Sequence, residues 1–134
     1  MLDVHFAHPI PFDIPDSVWL AAGAQGWRPA AQSYVACAYR SPRSEIPQLD
    51  LAIEWLSLDQ VVPPVRNGGA PGFVDWRMLR ALRGMKAGDP VPAVLGQRRD
   101  DYSAALVPIL DGMHRFYASA ALGFTHLPVA IQPY

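Results

Sequence analysis

From residue 51 onward the apolar and polar positions of this chain fall into a regular succession of short elements. Leu51, Ile53 and Trp55 alternate with Ala52, Glu54 and Leu56, which predicts a strand with one strongly apolar face. Asp59 to Pro64 ends it, and Arg66-Asn67-Gly68-Gly69-Ala70-Pro71-Gly72 reads as a flexible loop. Asp75 is a candidate N-cap for a helix running to about Lys86, with Gly88 just beyond it as a stop. Strands are predicted at Val91 to Leu95, Ala104 to Leu110 and Leu127 to Gln132, and a helix from His114 to Leu122 lies between the last two. Alternating strands and helices argue for a layered α/β or α+β fold.

The first fifty residues follow a looser pattern. Residues 8 to 15 are punctuated by proline, and Asp16 or Ser17 is placed to cap a short helix through Val18 to Ala22 that stops near Gly23 or Gly26. Ser33 to Tyr39 reads as a strand of aromatic and small apolar residues, broken by Arg40 to Ser44. Internal repeats and low-complexity tracts are lacking. Residues 1–50 are therefore expected to be an extension packed on a core at 51–134, with residues 1–134 forming one domain.

Composition narrows the classes. A chain of 134 residues, 51% hydrophobic, is long enough for one core and short for two. The net charge of −1 provides no overall field for nucleic acid, which leaves a local patch as the lesser expectation. Cys37 is the only cysteine, so neither an intrachain disulfide nor a cysteine-rich zinc site can form, which fits a cytoplasmic setting. The N-terminus lacks the basic and apolar regions of an export signal, and no apolar run approaches membrane-spanning length, so no membrane partner is expected. Oligomeric state is not legible.

The stretch richest in chemistry is Leu110-Asp111-Gly112-Met113-His114-Arg115-Phe116-Tyr117-Ala118. An apolar run enters a turn at Asp111 and Gly112, and a helix begins with His114 and Arg115 in its first turn. Free N–H groups and a positive dipole end attract anions there, and an arginine can grip phosphate oxygens with a two-pronged fork. The plainer alternative is that Arg115 pairs with a structural carboxylate such as Asp111. His114 is suited to donate to a phosphate or to act as acid or base, and also to hold the turn through a backbone carbonyl. Asp111 could coordinate a magnesium ion through the nucleotide or simply stabilise the helix dipole.

Other candidates have plainer alternatives. Arg66, in its glycine loop, is a candidate second clamp or part of an ordinary connector. Arg77, Arg80, Arg83 and Lys86 recur every three residues, a stripe read as a solvated helix face in preference to a nucleic-acid patch. His5 and His8 have metal-compatible spacing but no nearby third ligand, so no metal site is expected. Trp19, Trp27, Trp55 and Trp76 read as packing residues.

The order and spacing of Leu58, Pro63, Leu79, Leu82, Gly88, Pro92, Asp111, Gly112, His114, Arg115, Ala118, Gly123, Pro128 and Val129 resemble the ParB/sulfiredoxin superfamily domain over residues 53 to 131. The resemblance implies an α+β fold with a small mixed sheet flanked by helices. It also implies binding of ATP, ADP or CTP at the turn, through Gly112, Met113, His114 and Arg115, with Mg²⁺ accompanying engaged phosphates.

The reaction is less constrained, since the superfamily spans DNA clamps that hydrolyse CTP, sulfinic acid reductases, free-serine kinases and proteins described as nucleases. Met113 stands where sulfiredoxins carry their cysteine, and a thioether cannot serve as thiolate nucleophile, so that chemistry is not expected. Cys37, remote in sequence, is a poor substitute. The chain ends at Tyr134, short of the helical region that ParB clamps use. Kinases of the family place a catalytic Glu after the first core strand, where this chain offers Asp59 instead. The carboxylates do not cluster as a two-metal nuclease requires. The expectation is a nucleotide-phosphate-binding domain, with hydrolysis or phosphoryl transfer through His114, Asp111 and Asp59 as the reactions open to it. The alternative is a non-catalytic interaction or DNA-associated module.

Overall fold

The computed structural model describes residues 4–6, 11–40, 51–63, 72–103 and 105–133. Their elements are β1 (Val4–Phe6), β2 (Phe12–Ile14), α1 (Asp16–Ala21), β3 (Ala36–Cys37), β4 (Ile53–Ser57), a 3₁₀ turn (Leu58–Gln60), β5 (Val61–Val62), α2 (Asp75–Ala87), β6 (Val91–Pro92), β7 (Val94–Gly96), β8 (Val107–Asp111), α3 (Met113–Leu122) and β9 (His126–Ile131).

Five strands form one mixed sheet in the order β4-β9-β7-β8-β5. The pairs β4/β9 and β7/β8 are antiparallel, while β7/β9 and β5/β8 are parallel. Helices α2 and α3 pack together on one face, so this is the α+β arrangement expected from the sequence. The predicted strand at Val91 to Leu95 divides at Ala93. Its first half pairs with β3 in a separate parallel ladder, and its second half enters the main sheet.

The helical face holds the main core. Met78, Ala81, Leu82 and Met85 of α2 are buried against Phe116, Tyr117, Ala118 and Leu122 of α3, over Leu56, Val94, Val107, Ile109, Leu127 and Val129 of the sheet. These α2 positions recur at helical spacing, and burying one such large side chain contributes about 1.5–3 kcal/mol. Arg83 and Lys86 are not simply solvated: each donates to a carbonyl at the end of α1, Ala21 and Ala22 respectively, both at 3.3 Å. Cations suit that negative helix end.

A smaller cluster of Tyr39, Ala93, Leu95 and Ala130, with Leu51 and Ile53 packed against it, lies apart from the main core. It corrects the reading of β4. The Leu51/Ile53/Trp55 face is not the one turned to the main core; Leu56 is buried there, and Trp55 remains 55% exposed. Both faces of β4 carry apolar residues, so alternation could not tell which would be covered.

Helix ends also differ from the expectation. Pro15, Val74 and Gly112 occupy the N-cap positions of α1, α2 and α3, and none of the three helices has a side-chain cap hydrogen bond. Asp75 falls inside the first turn of α2, and Gly88 ends that helix with φ +75°. Among the described residues, no helix is long and apolar enough to cross a membrane.

Candidate functional site

The turn that opens α3 depends on a glycine. Gly112 has φ +110°, and a Cβ placed there would lie 2.7 Å from Cγ1 of Val94. Only a residue without a side chain can both turn the chain this way and let it pass so close to β7. The N–H of Phe116 closes the first helical bond onto Gly112 O, at 2.9 Å. No side chain caps the amides before it, and no acidic residue lies in the first turn. The positive end of α3 is therefore not offset from within its own first turn.

The start of α2 meets the start of α3. The N–H of Val74, the N-cap of α2, donates to Nε2 of His114 at 2.9 Å. That bond requires a lone pair on Nε2, so in the neutral imidazole the proton sits on Nδ1. Phe73 lies beside the His114 ring at 5.7 Å between centroids and beside Tyr117 at 5.4 Å. Side chains on a helix lean toward its N-terminus, which sets Tyr117 beneath the same turn. Among the described residues, the buried Tyr117 hydroxyl has no hydrogen-bond partner, and burial pushes its pKa up.

Arg115 is anchored. Its Nη1 donates to the carbonyls of Pro92 at 3.1 Å and Ala93 at 2.9 Å, where β6 passes into β7. Its Nη2 lies 4.0 Å from Asp111 Oδ2, and the side chain is 16% exposed. The expected Asp111 partner is thus present, joined by two backbone acceptors that sequence could not disclose. The guanidinium holds the turn against the β6–β7 junction.

The N-terminal segment completes this arrangement. Tyr39 donates its hydroxyl to Asp111 Oδ2 at 2.5 Å, and the Arg115 guanidinium lies 5.8 Å from the centre of the Tyr39 ring. Tyr34 donates to Pro92 O at 3.0 Å, so that carbonyl accepts from both Tyr34 and Arg115. Burial pushes the Tyr34 pKa far up; Arg115 pulls it partly back, while Cys37 adds to the rise. Cys37 itself stands opposite Pro92 in the β3/β6 ladder, so it is not remote from the turn as its sequence position implied. The signal for this wall was present as two tyrosines in a strand of small residues, but nothing in the sequence named their partners.

Asp59 is not brought to the turn. Its neighbour Leu58 donates its N–H to Thr125 O at 3.1 Å, beyond the C-terminal end of α3, whereas Asp111 to Arg115 lie at the opposite end. Ten helical residues separate the two ends by about 15 Å. The Asp59 carboxylate accepts from the hydroxyl of Ser57 within a capping box that holds the 3₁₀ turn. Arg66 and most of its glycine loop lie outside the described residues, as does His8. His5 is bonded to Asp13 at 2.7 Å across the β1/β2 pair.

No protein-family model matches the chain, and no curated protein matches it in sequence. Solved structures do resemble it. Sulfiredoxin from Arabidopsis thaliana superposes with a TM-score of 0.51 at 14% identity, over 62% of this chain and 86% of that one. A free serine kinase in complex with AMP gives a TM-score of 0.52 at 18% identity, over 72% of this chain and 37% of the kinase. A mutant of free serine kinase in complex with ADP gives 0.52 at 20% identity, over 68% of this chain and 35% of that one. The chain thus spans about a third of the kinase's length. At these identities the likeness shows the fold, and the ParB/sulfiredoxin-like architecture expected from the sequence is the one the chain adopts.

Proposed function

We propose that this chain binds the phosphate groups of a nucleotide where α2 and α3 begin. The observation that carries the reading is the meeting of two helix starts whose own N-cap side chains make no cap bond, joined by the Val74 N–H on His114 Nε2. Two positive helix ends directed at one place favour an anion more than either does alone. Supporting it, the similarly folded free serine kinase structures hold AMP and ADP.

The residues divide the work. The amides of Met113, His114 and Arg115, released by the Gly112 turn, would donate to the phosphate oxygens, with His114 donating through Nδ1. Arg115 would hold the turn through Pro92 and Ala93 and lend its charge to the ligand. Arg66, which precedes α2 in the sequence, is the candidate second cation for the phosphates. Mg²⁺ would arrive on the phosphates: among the described residues, no three His, Cys, Asp or Glu side chains gather to hold a metal ion.

Turnover by hydrolysis or phosphoryl transfer would rest on Asp111 as base, since Asp59 stands at the far end of α3. Asp111 already accepts the Tyr39 hydroxyl and faces Arg115, so its carboxylate is engaged in holding the turn. That contact favours a second reading, a nucleotide-binding module without turnover.

A thermal-shift titration with ATP, ADP, AMP, CTP and GTP, each with and without Mg²⁺, tests the site. A ligand at a hundred times its Kd should stabilise the fold by about 2.7 kcal/mol. Flat curves for every nucleotide at millimolar concentration would remove the proposal. Arg115→Ala should abolish the nucleotide effect, and should also lower the melting temperature without ligand. Two charge-assisted bonds to carbonyls are lost, at about 1.5–3 kcal/mol each before the site relaxes. Binding by the variant is therefore to be measured by calorimetry well below its own transition.

A further inference from the structure

The outer face of α2 takes no part in the core or in the phosphate site. At 100° per residue, Trp76, Arg80 and Arg83 fall within an arc of about 60°, and Arg77 lies one step round from Trp76. All four are exposed, Trp76 at 59%. The guanidinium of Arg77 is stacked over the Trp76 ring at 5.2 Å. Arg83 spends one N–H on the Ala21 carbonyl and keeps the rest of its fork. The carboxylate of this helix, Asp75, lies on the far flank of Trp76 from Arg77.

A solvated helix face accounts for the arginines and not for the tryptophan. A singly exposed indole is ordinary; what sets Trp76 apart is the Arg77 guanidinium over its ring and the Arg80 and Arg83 cations on its own face. Exposed aromatic faces interleaved with arginine are the arrangement that holds single-stranded nucleic acid, with bases stacking on rings and guanidinium groups pairing with phosphates. From Trp76 to Arg83 the helix rises about 10 Å, room for about three nucleotides stacked at 3.4 Å each.

We propose that the Trp76/Arg77/Arg80/Arg83 face of α2 is a docking surface for single-stranded nucleic acid, bound without sequence preference. Bases would stack on Trp76, and the backbone would run along Arg80 and Arg83. The duplex is disfavoured because its bases are not free to stack on the indole. An acidic protein segment would use the charges and leave the indole idle. None of its side chains is assigned to the phosphate site, so the surface stands whether or not a nucleotide binds at the start of α3.

The test is fluorescence anisotropy of a short labelled oligothymidylate with the full chain, titrated between about 50 and 200 mM salt. Binding should weaken with a log–log slope near −1.4, about −0.7 for each of the phosphate contacts at Arg80 and Arg83. Arg80→Ala should reduce that slope by about 0.7, and Trp76→Ala should weaken binding on the order of tenfold, with Trp76→Phe restoring most of it. Because these side chains are exposed, the variants' unchanged melting temperature checks their folding. Absence of binding at tens of micromolar protein, indifference to Trp76→Ala, or equal affinity for a duplex of the same length would each overturn the proposal. So would displacement of the oligonucleotide by an oligoglutamate at equal charge concentration.

Discussion

Tyr117 is the residue whose environment least matches its chemistry. Its ring packs between Phe12 at 4.7 Å, Phe116 at 5.0 Å and Phe73, as a phenylalanine would, while its buried hydroxyl has no partner among the described residues. A buried polar atom left unpaired costs about 1–3 kcal/mol. Tyr117→Phe should therefore raise the stability of the unliganded protein by about 1–2 kcal/mol, read as a higher midpoint in denaturant. An unchanged or lower midpoint would mean that the hydroxyl is satisfied in solution. Residue by residue, the sequence was most readable where the backbone itself demands a type. Gly112 could be assigned to a turn because few other residues turn so sharply before a helix. Tyr39 could not be assigned to Asp111, because that bond depends on the β3/β6 pairing, a contact between segments far apart in the chain.

Helix and strand positions from α2 onward were largely legible, since a buried face at helical spacing and a glycine stop leave few alternatives. Their ends were less so. Asp75 looked like a cap and lies inside the helix, while the actual N-caps of α2 and α3 are Val74 and Gly112. Tertiary contacts supplied what local capping did not: His114 takes the Val74 amide. The start of α3 is accordingly sensitive to a single methyl. Gly112→Ala would force an L-residue to φ +110° and press its Cβ within 2.8 Å of Val94 Cβ. The expected cost is about 2–4 kcal/mol from strain and overpacking together. Adding Val94→Ala should recover only part of it in the same melting experiment, because the backbone strain remains.

Across the whole molecule, charge contributes little to stability and topology contributes much. Arg98 grips Glu54 with two bonds, at 2.7 and 2.9 Å, joining β4 to the segment after β7. The Arg98 guanidinium holds the Glu54 carboxyl below its ordinary range. A depressed carboxylate stabilises the fold above the unfolded-state pKa, and that contribution disappears as pH falls through the folded value. Both side chains are nearly half exposed, so Glu54→Gln should flatten the acid side of the stability curve by less than about 1 kcal/mol, and less still in high salt. The layered fold was legible in the sequence, while the sheet order was not. Strand order follows from which apolar faces can be covered together, and β4 presents two.

The pairing of β4 with β9 sets the timetable of folding. Ile53 must find Ala130 and Ser57 must find His126, so the strand that opens the core waits for the strand that closes it. Closing so long a loop is entropically costly before any contact rewards it, and chains rich in such distant pairings fold slowly. Until β9 arrives, Trp55 and Leu56 present an unpaired apolar edge to whatever else is in solution. Aggregation at low temperature during refolding, relieved by dilution, is the behaviour this order of events leads one to expect.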